Sequence, residues 1–183
     1  MKANLIILLI LFCKNGVTQN KSYVAPLIPF PSEITHSKGN FILSSGTKIV
    51  CANPSLMNDV DHFNNMLSSN YGFTLEVVSH IPEKGNCISV QCPNLKASGK
   101  EKYQLDIKKN QISIIADSTD AGFFYALQTL LQLLPLQNTI ESKANPQKTI
   151  LIPCMIINDS PRFEWRGMHL DVCRHFFPVV FIK

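Results

Sequence analysis

Residues 158–178 read NDSPRFEWRGMHLDVCRHFFP, a stretch of unusual composition. Three arginines, two histidines, three acidic residues and the only tryptophan of the chain alternate there with apolar residues. Met168 to Leu170 reads as a short strand that ends at Asp171 before a charged loop, and Pro178 suits the first turn of a helix. In a β/α barrel, functional side chains gather at such carboxyl ends of strands. If the strand belongs to such a barrel, the charged loop after it would carry functional side chains.

Two helices are predicted upstream of this stretch. The stronger one follows Ser118–Asp120, runs from Ala121 to Leu134 (AGFFYALQTLLQLL), and is stopped by Pro135. It is apolar around most of its circumference, so we expect a sheet to cover one side and a larger neighbouring body to cover another. The other helix begins after Asn53 or Ser55 and ends at Gly72. Its apolar stripe comprises Leu56, Val60, Phe63, Leu67 and Tyr71.

Short apolar and alternating runs predict a small, mostly antiparallel sheet. Residues 103–107 and 112–115 form a hairpin around a turn at 108–111. Further strands are predicted at 41–43, 47–50, 73–78, 88–91 and 149–157, the last one broken at Pro153.

These elements lie between two irregular segments. The proline-rich residues 20–38 predict an extended lead-in, and residues 136–148 a polar linker before the last strand. Two helices against a small sheet make an α+β domain, which we place at residues 20–155. Residues 156–183 would then lie beyond this domain, as the start of a second one.

The first nineteen residues have the layout of a secretory signal peptide. Lys2 precedes an unbroken apolar run, LIILLILF, at residues 5–12, which is too short to span a membrane. We therefore expect residues 1–19 to be removed on export to a secreted, periplasmic or lysosomal-type compartment. Cys13 leaves open a lipoprotein alternative, although bulky Phe12 is unlike the small residue that such cleavage sites favour.

The charge excludes one class of partner. The formal net charge is +4, and removing Lys2 and Lys14 with the signal changes it to 15 − 13 = +2. The lysines are scattered and form no basic stripe with interleaved aromatic residues, so no nucleic-acid partner is expected.

The cysteines point to structure rather than to a metal. They lie at positions 13, 51, 87, 92, 154 and 173, without a CxxC motif or a histidine at ligand spacing. We expect no metal site and interpret most of them as small buried residues. A disulfide between Cys87 and Cys92 remains open in an oxidising compartment.

The terminal stretch resembles the beginning of the catalytic barrel of family 20 glycoside hydrolases, the β-N-acetylhexosaminidases. There the pattern D-x-P-R-F-x-W-R-G is followed by L-D, R-H-F and a proline, and every element is present between Asp159 and Pro178. The proline-rich lead-in and the run DAGFFYALQTLLQL are similar to the small α+β domain that precedes that barrel. The resemblance covers nearly all of residues 20–183 and implies that residues 156–183 are the truncated start of a (β/α)8 barrel.

The resemblance implies retaining hydrolysis of terminal β-linked N-acetylglucosamine or N-acetylgalactosamine, without a cofactor. In the family the substrate's acetamido oxygen attacks the anomeric carbon, an aspartate orients the acetamide, and the adjacent glutamate acts as general acid and base. No Asp-Glu dipeptide occurs in the chain. A complete barrel takes about 250 residues, so we assign no catalytic residue and expect the chain alone to be inactive.

One substrate-binding residue follows from the resemblance. The arginine of the W-R-G step binds hydroxyls of the terminal sugar in the family, and here it is Arg166. A guanidinium offers five donors in a rigid fork, which suits that role. The alternative is a structural ion pair with Glu164 or Asp171.

The other polar residues of the stretch are interpreted as structural. Asp171, Arg174 and His175 would form a buried charge network at the barrel mouth, where buried charges must be paired. Arg162 and Asp159 would form an ion pair or turn cap at the domain junction, and His169 would lie in the core.

Two other functions compete with the enzyme interpretation. A secreted, non-catalytic carbohydrate-associated module would consist of the α+β domain alone and would not need the stretch from Trp165 to Pro178. A structural envelope protein would need acylation at Cys13.

Overall fold

A computed structural model describes Tyr23 and residues 25–91, 101–116, 120–135 and 149–182. The expected signal peptide, the polar linker 136–148 and Cys92 lie outside these residues. Within them, no helix is both long and apolar enough to cross a membrane.

The two predicted helices are present. A 3-10 turn at Pro54–Leu56 leads into α1 (Met57–Tyr71), and Asn53 caps the turn by accepting a hydrogen bond from the Ser55 amide at 3.0 Å. Gly72 ends α1 in the left-handed conformation, at φ 75°, which glycine adopts without steric cost. Helix α2 spans Asp120–Leu133.

In the described part of the chain, seven strands form one sheet. The predicted hairpin is confirmed as β5 (Tyr103–Ile107) and β6 (Gln111–Ala116), with the Lys108 amide bonded to the Gln111 carbonyl at 2.9 Å. The sheet order is β1-β7-β5-β6-β4-β2-β3. The remaining strands are β1 (Glu33–Ser44), β2 (Lys48–Val50), β3 (Glu76–Val78), β4 (Cys87–Gln91) and β7 (Thr149–Asp159).

The sheet is divided by strand direction. The β1–β7, β7–β5 and β5–β6 pairs are antiparallel, and the β6–β4, β4–β2 and β2–β3 pairs are parallel. The antiparallel ladders are longer and include most of the paired residues, so the α+β assignment with a mostly antiparallel sheet is confirmed.

Strand β7 continues through Pro153, where a break was expected. Its pairing with β5 begins only at Met155, so no β5 acceptor is needed at position 153. On the other side, the register with β1 shifts between His36 and Asn40, and Asn40 lies opposite Pro153. The irregularity in β1 therefore accommodates a residue that has no N–H to donate.

Strand β3 is shorter than expected because the backbone amide and carbonyl of Leu75 form hydrogen bonds with a side chain of α1. The Leu75 amide donates to the side-chain oxygen of Asn64 at 2.8 Å, and the Asn64 amide group donates to the Leu75 carbonyl at 3.1 Å. Leu75 is thereby tied to α1 instead of to a neighbouring strand.

One face of the sheet carries the core. Helices α1 and α2 lie on this face, and Phe41, Phe63 and Phe123 are fully buried between the layers. The opposite face is polar: Gln104 donates to Asn158 at 2.8 Å, which in turn donates to Glu33 at 3.0 Å. Cys51, Cys87 and Cys154 are buried free thiols, as expected for small core residues.

The terminal stretch leaves the sheet after Asp159. The expected strand at Met168–Leu170 is wrong for this structure, since residues 160–178 contain no strand. A strand needs a neighbour for its backbone hydrogen bonds, and no described strand lies beside these residues. Directly after Pro178, a short helix α3 follows at Val179–Ile182.

Candidate functional site

The end of β7 is tied to three other parts of the fold through Asp159. Its carboxylate accepts hydrogen bonds from the backbone amide and the hydroxyl of Ser32, both at 3.1 Å, and from the Tyr103 hydroxyl at 3.3 Å. The Tyr103 hydroxyl also shares a 2.6 Å hydrogen bond with Thr129 on α2. Lead-in, sheet and helix are therefore joined at the point where the chain leaves the domain.

The Tyr103 side chain is buried at this junction. Desolvation is the main reason that its pKa rises to about 12; the Thr129 hydrogen bond opposes this rise, and the nearby Asp159 carboxylate adds to it. Tyr103 is therefore a neutral hydrogen-bonding group at physiological pH, not an acid or base.

A groove of about 910 Å³ opens beside the junction. Its walls are the proline-rich lead-in, one face of α2 and the first residues after β7. The lining residues include Phe30, Ser32, Glu101, Tyr103, Tyr125, Gln128, Gln132, Asp159, Arg162, Phe163 and Arg166.

Arg166 lines this groove and contacts three separate segments. Its guanidinium forms an ion pair with Glu101, donates to the Phe163 carbonyl at 2.8 Å, and lies 5.9 Å from the centroid of the Tyr125 ring. The hydrogen bond to Glu101 is the main reason that the pKa of Arg166 is raised. The sequence suggested Glu164 or Asp171 as ion-pair partners of Arg166. In the structure Arg166 pairs with Glu101 and not with Asp171.

Two backbone features place Glu101 beside Arg166. Glu101 itself has a left-handed backbone conformation, φ 54°, which is uncommon outside glycine. The first turn of α2 also approaches the same segment closely: a Cβ on Gly122 would lie 2.8 Å from the Lys102 carbonyl oxygen. Tyr125, one turn further along α2, lies next to the Arg166 guanidinium.

Comparison with known proteins identifies the chain. A sequence model described as "Glycosyl hydrolase family 20, domain 2" matches residues 24–160. The chain belongs to glycoside hydrolase family 20. The resemblance stated from the terminal stretch is thus confirmed, and with it the relation to β-hexosaminidases.

Named family 20 relatives agree over most of the chain. A β-hexosaminidase of Porphyromonas gingivalis is 33% identical over 157 residues, which are 86% of this chain and 20% of that protein. The family 20 β-N-acetylhexosaminidase structure from Streptomyces coelicolor has a TM-score of 0.69 at 29% identity, covering 85% of this chain and 30% of that one. The structure of an inactive mutant of the Vibrio harveyi exo-β-N-acetylglucosaminidase has a TM-score of 0.66 at 30% identity. The match covers 87% of this chain and 23% of that one. This chain therefore spans about a fifth to a third of these relatives.

The remaining residues singled out from the family 20 pattern are not brought together. Asp171, Arg174 and His175 are exposed. Hydrogen bonds from the Cys173 thiol and, secondly, from the Cys173 amide at 2.9 Å lower the pKa of the Asp171 carboxyl. Arg162 is exposed and forms no ion pair with Asp159, which bonds to Ser32 and Tyr103 instead. His169 is exposed as well, whereas a core position was expected.

Sequence reasoning missed two residues of this family 20 chain that contact Arg166. Glu101 lies in a polar segment without periodicity, and Tyr125 lies in an apolar helix that reads as core. Neither position carries a local pattern that marks it. Among the described residues, no group of three histidines, cysteines or carboxylates could hold a metal ion.

Proposed function

We propose that the chain is the amino-terminal part of a β-N-acetylhexosaminidase. In this proposal residues 1–19 are a signal peptide, residues 20–155 are the α+β domain, and residues 156–183 begin the catalytic barrel. The whole enzyme removes terminal N-acetylglucosamine or N-acetylgalactosamine from the non-reducing ends of glycans by a substrate-assisted, retaining reaction.

The observation that carries the proposal is the exposure of the terminal stretch. Large exposed apolar patches mark surfaces that another body covers. Immediately beyond the part matched by the family model, ten large apolar side chains are exposed. They are Phe163, Trp165, Met168, Leu170, Phe176, Phe177, Val179, Val180, Phe181 and Ile182. A first barrel strand and helix would bury such side chains against the rest of a barrel, whereas a stand-alone accessory module would have no use for them.

Within that barrel we assign Arg166 to the sugar. Its planar guanidinium has five donors and keeps its charge. In this chain Glu101 and the Phe163 carbonyl accept hydrogen bonds from it, and the same donors suit the hydroxyl groups of a terminal sugar. Asp171, Arg174 and His175 would form their charge network only once a completed barrel surrounds them.

The decisive experiment extends the reading frame and then tests Arg166. The sequence beyond codon 183 should encode the H-x-G-x-D-E segment that supplies the catalytic pair. In the extended enzyme, Arg166→Ala removes charge-assisted hydrogen bonds of about 1.5–3 kcal/mol each. Losing two of them predicts a fall in kcat/KM of at least about 100-fold.

Two further substitutions make this test specific. Arg166→Lys should restore little activity, because an ammonium group cannot reproduce the planar fork. Arg162→Ala is the matched control and should leave the kinetics nearly intact, because Arg162 is exposed and forms no ion pair in the described parts of the chain. Wild-type kcat/KM in Arg166→Ala, together with loss of activity in Arg162→Ala, would reverse the two roles.

A further inference from the structure

The contacts of Arg166 raise a question about the role proposed for it. The guanidinium that we assign to sugar hydroxyls is already held by Glu101, by the Phe163 carbonyl and by the face of Tyr125. We call these three groups the Arg166 clamp. Two of them, Glu101 and Tyr125, belong to the α+β domain and not to the terminal stretch.

We propose that Glu101 is a positioning residue that controls where the Arg166 guanidinium lies and how available its hydrogen-bond donors are. Its carboxylate holds the guanidinium against the α+β domain and competes with sugar hydroxyls for the same donors. The competition rests on the proposed function of Arg166, whereas the clamp itself is independent of it.

The geometry of the clamp favours competition over a permanent structural pair. The side chains of Arg166 and Glu101 are 40% and 34% exposed, so water and salt reach the pair and it can open. A cation within about 6 Å of an aromatic centroid is attracted to the ring face, and Tyr125 satisfies this distance. The guanidinium is therefore held from two sides but not enclosed.

The backbone at Glu101 supports a specific role for this residue. A non-glycine residue in the left-handed region costs free energy and persists where the surroundings impose it. Here Gly122 lets α2 approach the Glu101–Lys102 backbone. The local structure thus keeps the carboxylate beside Arg166, at the expense of an unfavourable backbone conformation.

The chain contains three arginines, which makes a direct measurement feasible. We would record the heteronuclear ¹⁵N–¹H Overhauser effect at each arginine Nε, assigning signals with single Arg→Lys variants. Arg162 and Arg174 serve as internal controls, because both are exposed and neither forms an ion pair in the described parts of the chain. Arg166 should show a rigid Nε–H and the other two mobile ones.

Glu101→Gln should reduce the Overhauser effect at Arg166 to the level of Arg162 and Arg174. Glu76→Gln is the matched control, since Glu76 forms a comparable exposed ion pair with Lys48 on the far edge of the sheet and should leave Arg166 unchanged. Fluorescence anisotropy of Trp165, the only tryptophan, should fall in Glu101→Gln alone. The clamp would be overturned if, in the unmodified chain, the Overhauser effect at Arg166 equalled that of Arg162 and Arg174. It would also be overturned if Glu101→Gln left the Overhauser effect at Arg166 unchanged.

Competition is tested separately in the extended enzyme. Glu101→Gln should lower KM by a few-fold, the scale of an exposed ion pair, with kcat unchanged, because it frees donors that bind ground state and transition state alike. An unchanged or higher KM would overturn the competition. Retained activity in Arg166→Ala would instead refute the proposed sugar role and leave the clamp measured in the shorter chain intact.

Discussion

Gly122 lies so close to the backbone of Lys102 that a Cβ at position 122 would be 2.8 Å from the Lys102 carbonyl oxygen. The same Cβ would lie 3.5 Å from the side chain of Ala116 and from the Glu101 carbonyl carbon. The obstacles are backbone and a small buried residue, so neither can rotate away. This contact fixes the distance between the start of α2 and the segment that carries Glu101.

Gly122→Ala should therefore destabilise the domain. Overpacking against fixed neighbours costs about 1–3 kcal/mol, whereas replacing a helical glycine by alanine returns at most about 1 kcal/mol. The free energy of unfolding, measured by urea denaturation, should fall. Gly46→Ala is the control, since its Cβ would meet only the Ser44 hydroxyl at 3.8 Å. Equal stability of the two variants would contradict the close approach.

Alkaline pH should unfold the protein through its buried tyrosines. Burial raises the pKa of Tyr71 from 10.0 to about 12, and the pKa of Tyr103 also to about 12. Above pH 10 the unfolded chain loses these protons first, so it binds fewer protons than the folded chain and the free energy of unfolding falls as pH rises towards 12. Below about pH 10 these groups contribute no pH dependence.

The slope of that fall can be assigned to a residue. Tyr71 donates a 2.5 Å hydrogen bond to the Pro135 carbonyl, so Tyr71→Phe should be less stable at pH 8 but should lose less further stability between pH 10 and pH 12. Urea denaturation at several pH values measures both effects. A variant with the wild-type slope would show that Tyr71 does not titrate differently on folding.

The elements that the sequence predicts best are those whose signals are local. The stripe of α1, the cap at Asn53, the glycine at position 72 and the alternation of the β5–β6 hairpin each lie within one element. The continuation of β7 through Pro153 could not be predicted, because it depends on a register shift in β1, more than a hundred positions away.

The candidate site was predictable only in part for the same reason. Arg166 is recognisable because it stands inside a long specific pattern. Its partner Glu101 is 65 positions away, in a segment without periodicity against which α2 packs closely. Burial of Asp171, Arg174 and His175 was expected from their charge pattern, yet burial is a property of the surrounding body rather than of the pattern.

Processing of the amino terminus is a separate prediction. The apolar run at residues 5–12 and the polar residues after it predict signal cleavage near position 19. Amino-terminal sequencing of exported protein should begin between about Val17 and Lys21. Mature protein that starts at an acylated Cys13 would refute this and support the lipoprotein alternative.

The junction around Asp159 predicts a loss of stability without loss of the fold. Tyr103→Phe removes the hydroxyl that binds Thr129 at 2.6 Å and Asp159 at 3.3 Å, and leaves the buried Thr129 hydroxyl without that partner. An unsatisfied buried polar group costs about 1–3 kcal/mol. Thermal denaturation should show a lower Tm, and the double variant Tyr103→Phe/Thr129→Val should recover part of it, because both polar partners are then absent. A double variant less stable than the sum of the single changes would contradict the pairing.

The 183-residue chain itself should not hydrolyse an aryl N-acetyl-β-glucosaminide. Substrate-assisted cleavage needs a general acid and a group that orients the acetamide, and the sequence contains no Asp-Glu dipeptide to supply them. Each such group is worth a factor of roughly 100 or more in rate. The carboxylate in the ion pair with Arg166 is that of Glu101, and no second carboxylate stands directly beside Glu101 in the sequence. Release of the aryl group above a blank by homogeneous chain, abolished by Glu101→Gln, would show that the α+β domain carries a catalytic carboxylate of its own.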